Sequence, residues 1–283
     1  MCYKAELEEK GYCVIDNVLP PEEVKEARKY FDEWHNSHPQ IKRIAEKVNP
    51  HGIFKHFNIG HQRHAWYIRT RPKVQEAFKN IWQTDDLVVS FDGTCYIPAS
   101  CKKKDNIWTH TDQAPSKRGL KCIQGFVSLT DNTERSLVVY EGSHKLHETY
   151  AKERNLTSSK DWLLIEHDYL NKIKESRVVV KAPAGSLVLW DSRTFHQNQY
   201  GKCNEERIVQ YVCFLPRAQL TEKMQEKRIE YFLDERTTSH WPYPVKVNGL
   251  QPQAYGNKDL VIKYDELKPA DLEDLLDDIV KIL

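Results

Sequence analysis

The chain carries no surplus of charge: 42 lysines and arginines stand against 41 aspartates and glutamates, a net +1 over 283 residues. No bulk attraction to nucleic acid or to an anionic membrane is expected from such a balance. Long apolar runs are missing too. No stretch approaches the roughly twenty apolar residues that a membrane helix needs. Met1 to Lys10 is polar and charged, unlike a signal peptide, and Lys281-Ile282-Leu283 is neither a peroxisomal nor an ER-retention address. No C-x-x-C occurs among the seven cysteines, at 2, 13, 95, 101, 122, 203 and 213. A zinc site built on cysteine therefore has no support, and the thiols read as reduced, in an intracellular, cytoplasmic protein. Repeats and low-complexity linkers are absent, which argues for one domain over 1–283. Its composition, 40% hydrophobic and 29% charged, is that of a soluble globular protein.

The periodicity divides the chain into three parts. Residues 1–85 read as mostly helical around one short strand, Gly11 to Val18. Pro20-Pro21-Glu22-Glu23 opens a helix with Val24, Ala27, Phe31 and Trp34 on one face. Pro72 to Trp82 reads as a second helix. Between them, residues 35–66 are polar and hold His35, His38, His51, His56, His61 and His64. Their spacing and their Lys, Arg and Asn neighbours argue against a metal cluster and for a substrate-facing loop. From about 86 to 217 the period becomes two, in short runs separated by turn residues: Leu87 to Asp92, Thr94 to Ile97, Cys122 to Leu129, Leu137 to Tyr140, Arg177 to Lys181, Ser186 to Trp190 and Arg207 to Leu215. Many short strands with turn punctuation predict a mainly β fold, a jelly roll flanked by helices. The extension 218–283 reads as helical to about Asp234. A last helix is expected from Pro269, with Leu272, Leu275, Leu276, Ile279 and Leu283 on one face.

One short stretch, Trp108-Thr109-His110-Thr111-Asp112, places an imidazole and a carboxylate two residues apart. On an extended strand, positions i and i+2 share a face. A third ligand from a distant strand, His196, completes a two-histidine, one-carboxylate set that leaves coordination positions open and suits non-haem Fe(II). Eleven residues further on, Arg207 stands in an apolar strand. An arginine there is least costly when a carboxylate meets its planar fork.

These residues carry a resemblance. Gly11-Tyr12-Cys13-Val14-Ile15-Asp16-Asn17, His110-Thr111-Asp112, Ser136 to Lys145, Ala184-Gly185-Ser186 leading to His196, and Arg207 together resemble the phytanoyl-CoA dioxygenase family of Fe(II)/2-oxoglutarate oxygenases, over roughly residues 5 to 217. The resemblance implies a double-stranded β-helix (cupin-like) core, with His110, Asp112 and His196 on iron and Arg207 on the distal carboxylate of 2-oxoglutarate. It also implies O2 as co-substrate, succinate and CO2 as products, and Gln124 and Phe126 bordering the cosubstrate. Asn198 is expected to hydrogen-bond behind His196. Because Asp112 fills the position that is a small residue in related halogenases, the expected outcome is hydroxylation or desaturation. Arg135-Ser136 and Gln197-Asn198 depart from the family pattern, and those departures bear on the substrate.

Two other readings remain open on the sequence: a non-catalytic jelly-roll binding module, and a zinc-type metallohydrolase. Arg207 and the lack of a glutamate base beside the ligands count against the second. The substrate is expected to be a small molecule, and the basic loops Lys102-Lys103-Lys104 and Lys117-Arg118-Gly119-Leu120-Lys121 suggest an anionic one.

Overall fold

The structure is a computed structural model, described here for residues 3–47 and 50–283. Cys2 lies outside the described residues. The helices are α1 (Tyr3–Lys10), α2 (Pro21–Ser37), α3 (Pro39–Lys47), α4 (Arg63–Arg69), α5 (Pro72–Trp82), α6 (His147–Glu153), α7 (His167–Lys172), α8 (Glu222–Leu233) and α9 (Leu276–Ile282). The strands are β1 (Tyr12–Ile15), β2 (Ile53–Phe54), β3 (Leu87–Val89), β4 (Thr94–Ile97), β5 (His110–Thr111), β6 (Ile123–Ser128), β7 (Leu137–Tyr140), β8 (Leu163–Leu164), β9 (Arg177–Val179), β10 (Leu187–Asp191), β11 (His196–Asn198) and β12 (Arg207–Pro216).

The strands form two sheets, and every pairing is antiparallel. The larger runs β1-β10-β6-β12-β4-β2, with β3 also on β12; the smaller runs β8-β5-β11-β7-β9. The period-two alternation decides which side chains meet. Along β10, Leu187 and Leu189 join the core under the helices, whereas Val188 and Trp190 pack with Leu137 and Val139 of the smaller sheet. Along β12, Ile208 and Val212 face the helices and Val209 faces inward. A one-residue slip would exchange the two faces, so burial on both sides fixes the register. Gly125, in mid-strand between β10 and β12, is required by close approach: a Cβ there would lie 2.7 Å from Leu189 Cδ2 and 3.0 Å from the Val188 carbonyl.

Helices cover the outer face of the large sheet. Ala27, Phe31 and Trp34 of α2 are buried as their spacing predicts. In place of one loop, residues 35–66 contain α3, the start of α4 and strand β2. Ile41, Ile44 and Ala45 give α3 a buried face, which the many polar residues around them obscure in the sequence. The last helix starts later than expected but turns most of the expected face inward, with Leu272 and Leu283 also packed against the core. Leu275, Ile279 and Ile282 are buried while Leu276 is exposed. Arg63 holds the preceding segment out of the helix by donating to the Asp271 carbonyl (2.6 Å) and the Asp274 carboxylate (2.8 Å). The extension is also fastened by Arg228 of α8, which donates to the carbonyls of Pro242, Val89 and Leu283. No helix among the described residues is long and apolar enough to cross a membrane.

Two of the histidines in the 35–66 segment are core residues. Burial, with the Arg69 charge added, lowers both His61 and His64 to about 3. Groups depressed in the folded state stabilise it above their unfolded value of about 6.5, and that stability is lost as pH falls toward 3. Asp92 works the other way. Burial raises it to about 7, so the folded chain takes up a proton there that the unfolded chain does not bind until about pH 4. Between pH 6 and 4 the unfolded state thus binds about one net proton more. Unfolding free energy should fall by about 1.4 kcal/mol per pH unit, and faster once the other depressed histidines are included. Urea denaturation of the metal-free protein at pH 7, 6 and 5 checks this; a midpoint independent of pH contradicts it.

Candidate metal and cosubstrate site

His110 and His196 are direct partners in the β5–β11 register, so their rings emerge side by side, 4.4 Å apart between centroids. Asp112 lies just past the end of β5, where its backbone N–H donates to the Ser192 carbonyl (3.0 Å) and turns the carboxylate back toward the imidazoles. Asp112 oxygens stand 3.6 Å from His110 Nε2 and 3.3 Å from His196 Nε2. The three residues are the group among the described residues whose ligand atoms lie within 4.8 Å of one another. Cis ligands around an octahedral ion at about 2.1 Å are about 3 Å apart, so a small inward movement suffices to hold one.

The second nitrogen of each imidazole sets its tautomer. His110 Nδ1 is 3.0 Å from the Trp108 carbonyl and His196 Nδ1 is 2.9 Å from the Thr194 carbonyl. A carbonyl only accepts, so Nδ1 keeps the proton and Nε2 offers its lone pair to the shared point. Burial, and then the neighbouring His196, lowers His110 to about 4. Burial alone would raise Asp112, but His110, His240 and His196 together hold it well below the usual carboxylate range. With Nδ1 turned to a carbonyl on each ring, the centre offers two Nε2 lone pairs and one carboxylate, a donor set that fits a divalent cation. Gln124 donates from Nε2 to Asp112 Oδ2 (2.9 Å) and orients the carboxylate.

Arg207 is fully buried, with Phe126 against its guanidinium at 5.2 Å from the ring centre. Nη1 donates to Asn198 Oδ1 (2.8 Å). Nε and Nη2, the side edge of the fork, are buried without a hydrogen-bond partner among the described residues. A buried guanidinium left so is costly unless a carboxylate completes it, so this edge fits the distal carboxylate of 2-oxoglutarate. Asn198 does not bond His196 as expected. Its carbonyl oxygen goes to Arg207 and its Nδ2 to the Tyr211 hydroxyl (3.0 Å) and the His51 carbonyl (3.3 Å).

A cavity of about 260 Å³ adjoins the three metal-site residues, and Asn198 and Tyr211 stand between it and Arg207. Trp108, Trp162 and Trp190 line it. Besides Tyr211, five polar side chains line it that the sequence did not single out: Lys55, Asp92, Ser239, His240 and Asn248. Trp162 is 49% exposed and has a φ of 79°, unusual for a bulky residue. The six loop cations stand apart from the cavity lining. Lys117 pairs with Asp161 (2.8 Å) and Arg118 with Glu148 (3.0 Å), while Lys102, Lys103 and Lys104 border a separate groove with Lys202. Arg135, at a departure from the family pattern, is a buried clamp that donates to the carbonyls of Pro98, Cys101, Tyr200, Cys203 and Glu205.

Two antiparallel sheets enclosing two imidazoles, one carboxylate and a buried arginine are the architecture of a non-haem iron oxygenase. The chain belongs to the phytanoyl-CoA dioxygenase (PhyH) family, whose model matches residues 7–200. It is therefore an Fe(II)/2-oxoglutarate-dependent oxygenase, with iron, 2-oxoglutarate and O2 as its cofactors. It is 27% identical to "Ava biosynthesis cluster protein O" of Aspergillus versicolor, over 85% of this chain and 86% of that protein. Among solved structures it resembles GlcNAc Inducible Gene 2 of Candida albicans, with a TM-score of 0.71 and 14% identity over 99% of this chain and 75% of the other. It also resembles EctD from S. alaskensis, solved with 2-oxoglutarate and 5-hydroxyectoine, with a TM-score of 0.53 and 14% identity over 75% and 74%.

Proposed function

We propose that the protein hydroxylates a small molecule, with His110, Asp112 and His196 holding Fe(II) and Arg207 holding 2-oxoglutarate. The observation that carries this reading is the unsatisfied edge of Arg207 beside a two-imidazole, one-carboxylate cluster. Neither a zinc hydrolase nor a silent jelly roll has a use for it. Bound iron and 2-oxoglutarate supply the oxidising chemistry, with O2 consumed and succinate and CO2 released. The chain supplies placement. Trp108 and Thr194 carbonyls fix the imidazole tautomers, Gln124 steadies the Asp112 carboxylate, and Phe126 backs the guanidinium. For the cosubstrate's distal carboxylate to reach Arg207, the Asn198–Tyr211 hydrogen bond (3.0 Å) has to open. A cavity of about 260 Å³ is at or below the small end of ligand pockets and favours a compact substrate over an acyl-CoA. Asp112 occupies the carboxylate position, which supports hydroxylation over halogenation.

Anaerobic titration tests the reading. Fe(II) and 2-oxoglutarate added together should give a weak visible charge-transfer band that neither gives alone, and O2 should then yield succinate. Binding of Zn(II) with hydrolysis of esters or amides, and no such band, rejects the assignment.

A further inference from the structure

Two opposite charges face the cavity, each favouring the other's charged form but without a contact ion pair between them. Lys55 reaches it from just beyond β2, and its ammonium, with three protons to donate, has Asn248 Oδ1 (2.9 Å) as its hydrogen-bond partner and no ion pair with a carboxylate among the described residues. Asp92 reaches it from the turn before β4. Its carboxylate accepts from the Gly93 N–H (2.7 Å) and likewise makes no ion pair among the described residues. Arg69 lies behind it, but both its Nη atoms are committed to the backbone carbonyls of Gly60 and Asp92. Burial lowers Lys55 and raises Asp92, as expected for charges that the protein leaves incompletely paired. Nearby, Ser239 Oγ and His240 Nε2 are buried and lack hydrogen-bond partners among the described residues, and both side chains line the same cavity.

Holding two incompletely paired charges and two orphaned polar atoms around one small space is costly when that space is empty of ligand. A ligand with complementary groups removes that cost. We infer that Lys55 and Asp92 are the substrate-recognition pair of this oxygenase and take a small zwitterion of the amino-acid type, its carboxylate on Lys55 and its ammonium on Asp92, with Ser239 and His240 completing the polar contacts. This rests on the iron and 2-oxoglutarate reading and names the substrate class for it. Lys55 replaces the loop lysines as the cation that meets an anionic group, and the C-terminal extension becomes part of the substrate site through Ser239, His240 and Asn248. Trp162, at the cavity mouth, supplies an apolar surface for the remainder of the ligand.

The experiment uses four matched forms of each of the common amino acids: free, N-acetylated, methyl ester, and N-acetyl methyl ester. Each is added to the Fe(II)- and 2-oxoglutarate-loaded protein. The readouts are a shift of the visible band and the rate of succinate release. At least one free amino acid should accelerate release about tenfold or more over its singly blocked forms, because each blocked form loses one charge-assisted contact. The ranking should then invert in a defined way. Lys55→Met should favour the methyl ester, and Asp92→Asn, which keeps an acceptor for the Gly93 N–H, should favour the N-acetyl form. Doubly blocked forms that match the free amino acids, no response to any free amino acid, or the same ranking in both variants overturns the inference. The band that 2-oxoglutarate gives before any amino acid is added reports separately on the metal and cosubstrate reading.

Discussion

Replacing Asp112 with alanine should reduce Fe(II)-dependent succinate release to the rate without enzyme. Asp112 is the carboxylate of the cluster, and the two imidazoles beside it offer only Nε2, their Nδ1 atoms being committed to carbonyls. Loss of a residue that only supports a metal ligand typically costs 10- to 100-fold in metal affinity or activity. Loss of the anionic ligand should exceed that, by roughly 100-fold or more. Asp112→Asn separates charge from shape. The amide keeps an oxygen for the Gln124 donor, so the variant should retain its architecture and weak metal binding while losing most turnover. Iron content after anaerobic reconstitution and succinate yield in single-turnover reactions measure both. Near wild-type turnover in Asp112→Ala would place the metal elsewhere.

Why the centre could be read from the chain, and its surroundings could not, follows from how each is built. His110 and Asp112 are two residues apart, and His196 ends a short run after an apolar strand, so local periodicity already points them at a common face. Runs with a clear period coincide with elements at the residue level, as for Leu137–Tyr140 and Pro72–Trp82. Lys55, Asp92, Ser239 and His240 follow no such pattern. They come from a short edge strand, a turn and a C-terminal loop, and only the sheet order brings them together. Trp162 was equally hidden, because a positive φ at tryptophan has no compositional signal of the kind glycine gives. Asn198 shows a subtler limit. Alternation puts it on the same face as His196, but its partner is decided by Arg207 of the opposing sheet. The late start of α9 is of the same kind, since the guanidinium that holds Asp271 and Asp274 comes from Arg63, far away in sequence.

Arginine 207 should behave unlike the other buried arginines. Arg207→Ala is expected to raise the KM for 2-oxoglutarate by about 10- to 150-fold, which corresponds to about 1.5–3 kcal/mol for a lost charge-assisted pair, with iron affinity nearly unchanged. Arg207→Lys should recover only part, because an ammonium cannot present the two parallel N–H groups of the Nε–Nη2 edge. Stability provides the contrast. In the metal-free protein the Arg207 guanidinium has one side-chain partner, Asn198, and two orphaned nitrogens, so Arg207→Met, which keeps most of the volume and removes the buried charge, should leave thermal stability unchanged or raise it. Arg135 donates to five backbone carbonyls that join the segments around Pro98 and Cys203. Arg135→Met should therefore cost about 3 kcal/mol or more, since several buried acceptors lose their donors together. Saturating 2-oxoglutarate and Fe(II) should stabilise wild type and do far less for Arg207→Met, because a ligand stabilises only in proportion to its occupancy. Thermal unfolding of wild type and both variants, with and without the two ligands, measures the whole set. An Arg207→Met variant as destabilised as Arg135→Met, with an undiminished response to 2-oxoglutarate, would make Arg207 a structural residue and move the cosubstrate to another part of the cavity.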